Sequence, residues 1–161
     1  MKILPAIIFW ICTACASYAG HEKIEDLADS LEKAVVFASK GDFASAARAI
    51  NAETRSPQSP KEVIERTDYL KHLYDQIAVL GEKDEVERLS LRLAGISFAR
   101  LKVIDKRAEG AVIWTFIGYR YRGQWYCKNL SVAGSEDFLK LMREELDAAD
   151  ATPVTSGSTA D

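Results

Sequence analysis

A chain of 161 residues with 48% hydrophobic and 28% charged residues has the balance of one ordinary globular domain and is short for two. Its formal charge of −3 lacks the basic excess that polyanion binding requires, which argues against nucleic acid as a partner. Two histidines and the single cysteine, Cys127, that remains once an expected N-terminal signal peptide is removed do not make a zinc-ligand set, there is no glycine-rich phosphate loop or nucleophile elbow, and neither metal nor cofactor is expected.

The N-terminal stretch, residues 1–19, reads as a secretory signal peptide. Lys2 supplies the positive charge, an apolar run extends from Ile3 to about Cys12, and Ser17-Tyr18-Ala19 is a small-x-small cleavage pattern before Gly20. The run is shorter than the ~20 apolar residues a membrane span needs and contains Pro5, so no span is expected after cleavage. The protein is therefore expected to be secreted or periplasmic. Cleavage removes Cys12 and Cys15, leaving Cys127 with no partner for a disulfide, so the domain, expected over 20–148, must be held by its core.

Residues 22–39 have helical spacing at Ile24, Leu27, Leu31, Val35 and Ala38, with acidic residues in the first turns and Gly41 after the last. Asp42 caps a short second helix with Phe43, Ala46, Ala47 and Ile50 on one side. After a Ser-Pro loop, Ser59-Pro60-Lys61-Glu62 begins a third helix running to about Leu80, with Val63, Leu70, Leu73, Ile77 and Leu80 as its buried stripe. Leu89, Leu91 and Leu93 then alternate as a strand does, although Val86, Leu89 and Leu93 also fit a helix. A second strand begins near Phe98, with Leu101, Val103 and Asp105 on one side, and "DKRAEG" is a turn. Two long aromatic strands follow, Ala111–Tyr121 and Trp125–Val132, joined by Arg122-Gly123. A two-residue loop there pairs Tyr119 with Tyr126 and Arg120 with Trp125, whereas a three-residue loop breaks both pairs. Ser135–Leu146 predicts a closing helix, and the tail, 149–161, is expected to be disordered.

This order is that of an α+β domain: N-terminal helices packed on a curved antiparallel meander of about four strands, with a C-terminal helix. Gly41-Asp42-Phe43 after the first helix and the strands "GAVIWTFIGYRY" and "QWYCKNLSV" resemble the nuclear-transport-factor-2-like superfamily, the cystatin-related α+β cone. The resemblance implies a concave sheet under helices, a fold that hosts enzymes, small-molecule binders and interaction modules. Its isomerase and cyclase members use an Asp base with a Tyr or Asp donor. That makes Asp105, with Tyr119 or Tyr126, the candidate catalytic set. The simpler expectation for Asp105 is a solvated turn residue.

Ile113–Ile117 is apolar on both faces, so each face needs a cover: helices on one, and on the other the closing helix, curvature, a ligand or a second subunit. The expected function is a non-catalytic binding or interaction module using an aromatic face of Trp114, Phe116, Tyr119, Arg120, Trp125 and Tyr126. A small apolar ligand or a protein is its partner, and a homodimer is compatible. The alternatives are the isomerase- or cyclase-type enzyme and an exported inhibitor or immunity protein.

Overall fold

The computed structural model describes residues 20–56, 58–77 and 81–134, with Lys140, Arg143, Glu144, Leu146 and Asp147 of the C-terminal segment in helical conformation. The expected signal peptide, the expected tail and most of the expected closing helix lie outside the described residues.

Three helices precede a four-stranded antiparallel meander: α1 (Ile24–Ser39), α2 (Phe43–Ala52), α3 (Pro60–Ile77), β1 (Lys83–Ala94), β2 (Phe98–Arg107), β3 (Gly110–Tyr121) and β4 (Gln124–Ala133). The sheet order is β1-β2-β3-β4, and the sheet is not closed. The α+β class is therefore as expected. Among the described helices none is long and apolar enough to cross a membrane.

Local chemistry sets the helix boundaries. Gly41, at φ +81°, ends α1 in the left-handed conformation that glycine adopts without penalty. Asp42 accepts a hydrogen bond from Ser45 N at 3.0 Å and caps α2. Ser59 and Glu62 form a reciprocal capping box on α3: Ser59 N donates to Glu62 Oε2 at 2.7 Å, and Glu62 N donates to Ser59 Oγ at 3.4 Å.

The core lies between the helices and one face of the sheet. Leu27, Leu31 and Val35 of α1 and Leu70 of α3 pack with Leu101, Val103, Val112, Trp114 and Phe116. Each such fully buried side chain contributes about 2–3 kcal/mol. Where α1 crosses β3 the sheet presents Gly118, and a Cβ there would lie 3.3 Å from Ile24 Cδ1. Arg88 of β1 ties the sheet to α1 through Asp29 at 2.6 Å and Glu32 at 2.8 Å.

Two bulges alter the facing read from alternation. Between Arg88 and Ser90 the pairing with β2 shifts by one residue. Leu91 consequently packs into the main core while Leu89 packs on the opposite face with Ile104 and Ile113. Between Ile117 and Gly118 the pairing shifts again, because β4 carries an extra residue, Lys128. Leu130 and Val132 are thereby turned toward the helices, opposite Phe116 and Trp114, instead of sharing a face with Tyr126. Strict alternation along β4 puts them on the other side, and the bulge is the reason it fails.

The β3–β4 turn is the two-residue one. Arg122 and Gly123 have φ of 51° and 84°, and the register pairs Tyr119 with Tyr126 and Arg120 with Trp125. On the second sheet face, Lys102, Ile104 and Ile113 are all buried. Glu144 lies 4.0 Å from Lys102 Nζ on this face.

Candidate functional site

Asp105 sits on the helix-facing side of β2 and is 0% exposed. This corrects the expectation of a solvated turn residue: β2 continues to Arg107, and only Ala108-Glu109 make the turn. Tyr74 Oη donates to Asp105 Oδ2 at 3.0 Å, and Arg107 Nη2 donates to the same oxygen at 2.6 Å. Trp114 Nε1 in turn donates to Tyr74 Oη at 3.2 Å. Burial, followed by the charge of Asp105, pushes the Tyr74 phenol above the ordinary tyrosine range. The phenol therefore stays protonated and acts as a donor. The arrangement is a neutralised ion pair with a tyrosine and an indole closing it, and its carboxylate is shut away from solvent.

Tyr119 and Tyr126, the tyrosines considered as partners for Asp105, are not brought to it. The register pairs Tyr119 with Phe98 and Asp105 with Val112, at opposite ends of β2, roughly 23 Å apart along the strand.

The six candidate residues lie on two faces of the sheet, as alternation along β3 and the start of β4 puts them. Trp114 and Phe116 are 0% exposed and lie in the main core with Trp125, so none of the three is offered to a partner. The reason is that α1 and α3 pack on that face: Tyr74 of α3 meets the Trp114 ring at 6.2 Å. Tyr119 and Tyr126 are paired on the opposite face and are half-buried. Arg120 is exposed, and its guanidinium stands 5.9 Å over the Trp125 ring.

An apolar surface does occur at this end of the sheet, in the β1–β2 turn. Leu93 is 61% exposed, Ile96 82% and Phe98 48%. Gly95, at φ +64°, supplies the left-handed residue of that turn. Phe98 is held by the Tyr119 ring at 5.2 Å, and Arg120 N is tied to Ser97 O at 2.8 Å. Leu93 and Ile96 border a shallow hollow of about 300 Å³ together with Trp125, Arg120, Glu22 and Glu25.

A second recess runs beside β4, the edge strand. Two adjoining hollows of about 330 and 320 Å³ share Thr54, Gln58, Arg66, Cys127 and Lys128. Burial pushes the Cys127 thiol up to about 11, so it is not a thiolate nucleophile at neutral pH. The near end of the β4 edge is closed by main chain. His21 exchanges both backbone hydrogen bonds with Trp125, at 3.1 and 2.7 Å, and Cys127 N donates to Glu53 O at 2.7 Å. His21 Nε2 lies 2.6 Å from Glu53 Oε2, and Ser30 Oγ donates to the other oxygen of the same buried carboxylate. Among the described residues no group of three or more histidine, cysteine or acidic side chains is gathered as a metal site would require.

Sequence reasoning missed Tyr74, Arg107, Arg66 and the His21–Glu53 contact. Tyr74 had a usable signal, since it follows Leu70 by four residues on α3 and is buried with it. Arg107 is two residues from Asp105 on the same side of β2, a local signal as well, whereas Arg66 and the His21–Glu53 contact are brought into place across long separations by the fold. His72, the other histidine, is exposed on α3 beside Gln76. Comparison with known protein families, curated proteins and solved structures found no match.

Proposed function

We propose that the protein is an exported, non-catalytic binding module that engages a protein partner through the apolar tip formed by the β1–β2 turn. The observation that carries this reading is the joint exposure of Leu93, Ile96 and Phe98 at the aromatic end of the sheet. Leu93 pairs with Ala99 on the helix side of the sheet, Phe98 pairs with Tyr119 on the other side, and Ile96 lies in the turn between them; large apolar side chains left exposed together at one hairpin end mark an interaction site. Tyr119 packs against Phe98 and Arg120 borders the hollow beside Leu93 and Ile96, an aromatic and an arginine of the type enriched at interface centres. The resemblance to the nuclear-transport-factor-2-like superfamily, whose members include interaction modules, is part of the same proposal. An inhibitor or immunity protein would be one version of it. The enzyme reading has less support, because Asp105 is enclosed by Tyr74 and Arg107 and is remote from Tyr119 and Tyr126.

The test is photo-crosslinking in the native host. A benzophenone amino acid is placed at Ile96, with a control at Lys61 on the exposed side of α3. The reading expects an adduct specific to position 96 with one protein. The purified partner should bind the wild-type chain at least about tenfold more tightly than Ile96→Asp. Adducts no different from those at position 61, or equal binding by Ile96→Asp, would remove the tip as the docking surface. Fractionation of the same cells tests export, which requires a processed chain outside the cytoplasm.

A further inference from the structure

The recess beside β4 has the composition of an anion site. Arg55, Arg66 and Lys128 line it, and no aspartate or glutamate does among the described residues. Arg55 is steered by stacking, with its guanidinium 3.9 Å over the Tyr121 ring. Arg66 and Gln58 line both hollows. Arg66 Nη1 and Gln58 Oε1 are both shielded from solvent, and neither has a hydrogen-bond partner. A buried guanidinium N–H without an acceptor costs free energy, and so does a buried amide oxygen without a donor. The two needs are complementary to one kind of ligand: an anionic group for Arg66 with an N–H or O–H beside it for Gln58. Beyond the cations, one hollow is walled by Ile50, Leu130 and Val132, the last two turned there by the bulge at Lys128. That bulge therefore both supplies a cation and builds an apolar wall.

From this geometry we propose that the recess binds an elongated organic carboxylate, with its head at Arg66 and Lys128, an adjacent N–H at Gln58 and an apolar body along Ile50, Leu130 and Val132. A carboxylate is favoured because a guanidinium edge matches its planar oxygens, and because the neighbouring amide oxygen asks for a donor, which an N-acyl amino acid supplies beside its carboxylate. The volume of each hollow is at the lower end of those that hold small molecules, and the two share Thr54, Gln58, Arg66, Cys127 and Lys128 as lining.

N-octanoylglycine is a probe with all three parts, and its C-terminal amide is the same molecule without the charge. Calorimetric titration into the purified protein should give one site for the acid and binding at least about tenfold weaker for the amide. Arg66→Gln should weaken the acid by a similar factor, Lys61→Gln should not, and amide resonances of Gln58, Arg66 and Cys127–Val132 should shift on binding. Equal binding of acid and amide, or no heat at about millimolar acid, overturns the proposal. That comparison uses only the wild-type chain, so it stands whether or not Arg66→Gln folds. Octyl phosphate bound more tightly than the acid through the same residues would make the head group a phosphate and overturn the carboxylate assignment.

Discussion

Tyr74 Oη stands 3.0 Å from Asp105 Oδ2, so a hydroxyl from α3 is bonded to a carboxylate on β2 that has no solvent exposure. With Arg107 on the same oxygen and Trp114 on the same hydroxyl, four side chains from α3, β2 and β3 close one polar cluster inside the core. Such a cluster ties α3 to the sheet through Asp105 Oδ2, while Asp105 Oδ1 and Arg107 Nε are buried without a hydrogen-bond partner of their own.

Removing Asp105 should therefore be severe. Asp105→Ala leaves the Arg107 charge without its partner and is expected to cost about 3–5 kcal/mol. Tyr74→Phe leaves Trp114 Nε1 and Asp105 each one bond short and should cost about 1–3 kcal/mol. Urea unfolding measures both. In the double variant the losses should fall short of their sum, since the two residues share a bond. Strict additivity would mean that the cluster does not act as a unit.

The protein should lose stability in alkali. The unfolded Cys127 thiol ionises near 9, whereas in the folded state it does so at about 11. Unfolding therefore releases a proton above pH 9, and the stability present below that pH declines as pH rises toward 11, by about 2 kcal/mol from this group. Tyr74 is shifted in the same direction and extends the decline. Denaturant titrations at pH 8 and pH 11 should differ by less in Cys127→Ala than in the wild type. In the native protein at pH 8 the thiol should also react with iodoacetamide far more slowly than in urea.

The β3–β4 turn carries a correctable cost. Arg122 occupies φ 51°, a conformation unfavourable for a residue with a long side chain and natural for asparagine. Arg122→Asn should raise stability by about 0.5–1 kcal/mol, read as a higher urea midpoint at unchanged slope. The change also removes a guanidinium 5.3 Å from the Tyr121 ring, so a gain smaller than this range would measure that contact.

Gly20 lies against β4 so closely that a Cβ would come within 2.5 Å of Tyr126 Cζ. Gly20→Ala should cost about 1–3 kcal/mol, because Tyr126 or the His21 strand pairing must move. In a Tyr126→Ala background part of that cost should vanish, and the part that stays belongs to Gln124 Cβ, 2.7 Å from the same Cβ. A penalty that is the same in both backgrounds would locate the strain elsewhere.

The local order of this domain was legible from the sequence because short-range rules govern it. Helical spacing, the Asp42 cap, the Ser59–Glu62 capping box and the glycines at 41 and 123 act over a few residues, and they mark the three helices and the tight β3–β4 turn. The pairing of Tyr119 with Tyr126 was one of two registers the sequence allowed, and the two-residue loop of the folded chain selects it. Which side chains face a partner did not follow. Alternation assigns faces only while a strand is regular, and the extra residues near Leu89 and at Lys128 reverse the facing beyond them. Asp105 reads locally as a strand-end residue and becomes a core residue only because Arg107 and Tyr74 arrive to neutralise and bond it. Trp114 and Phe116 are aromatic in sequence, but the packing of α1 and α3 decided that they fill the core. The Arg66–Gln58 recess is wholly a product of tertiary structure. It exists because α3 stands beside the open edge of β4, and contacts between segments so far apart in the chain leave no periodic trace in the residues that make them.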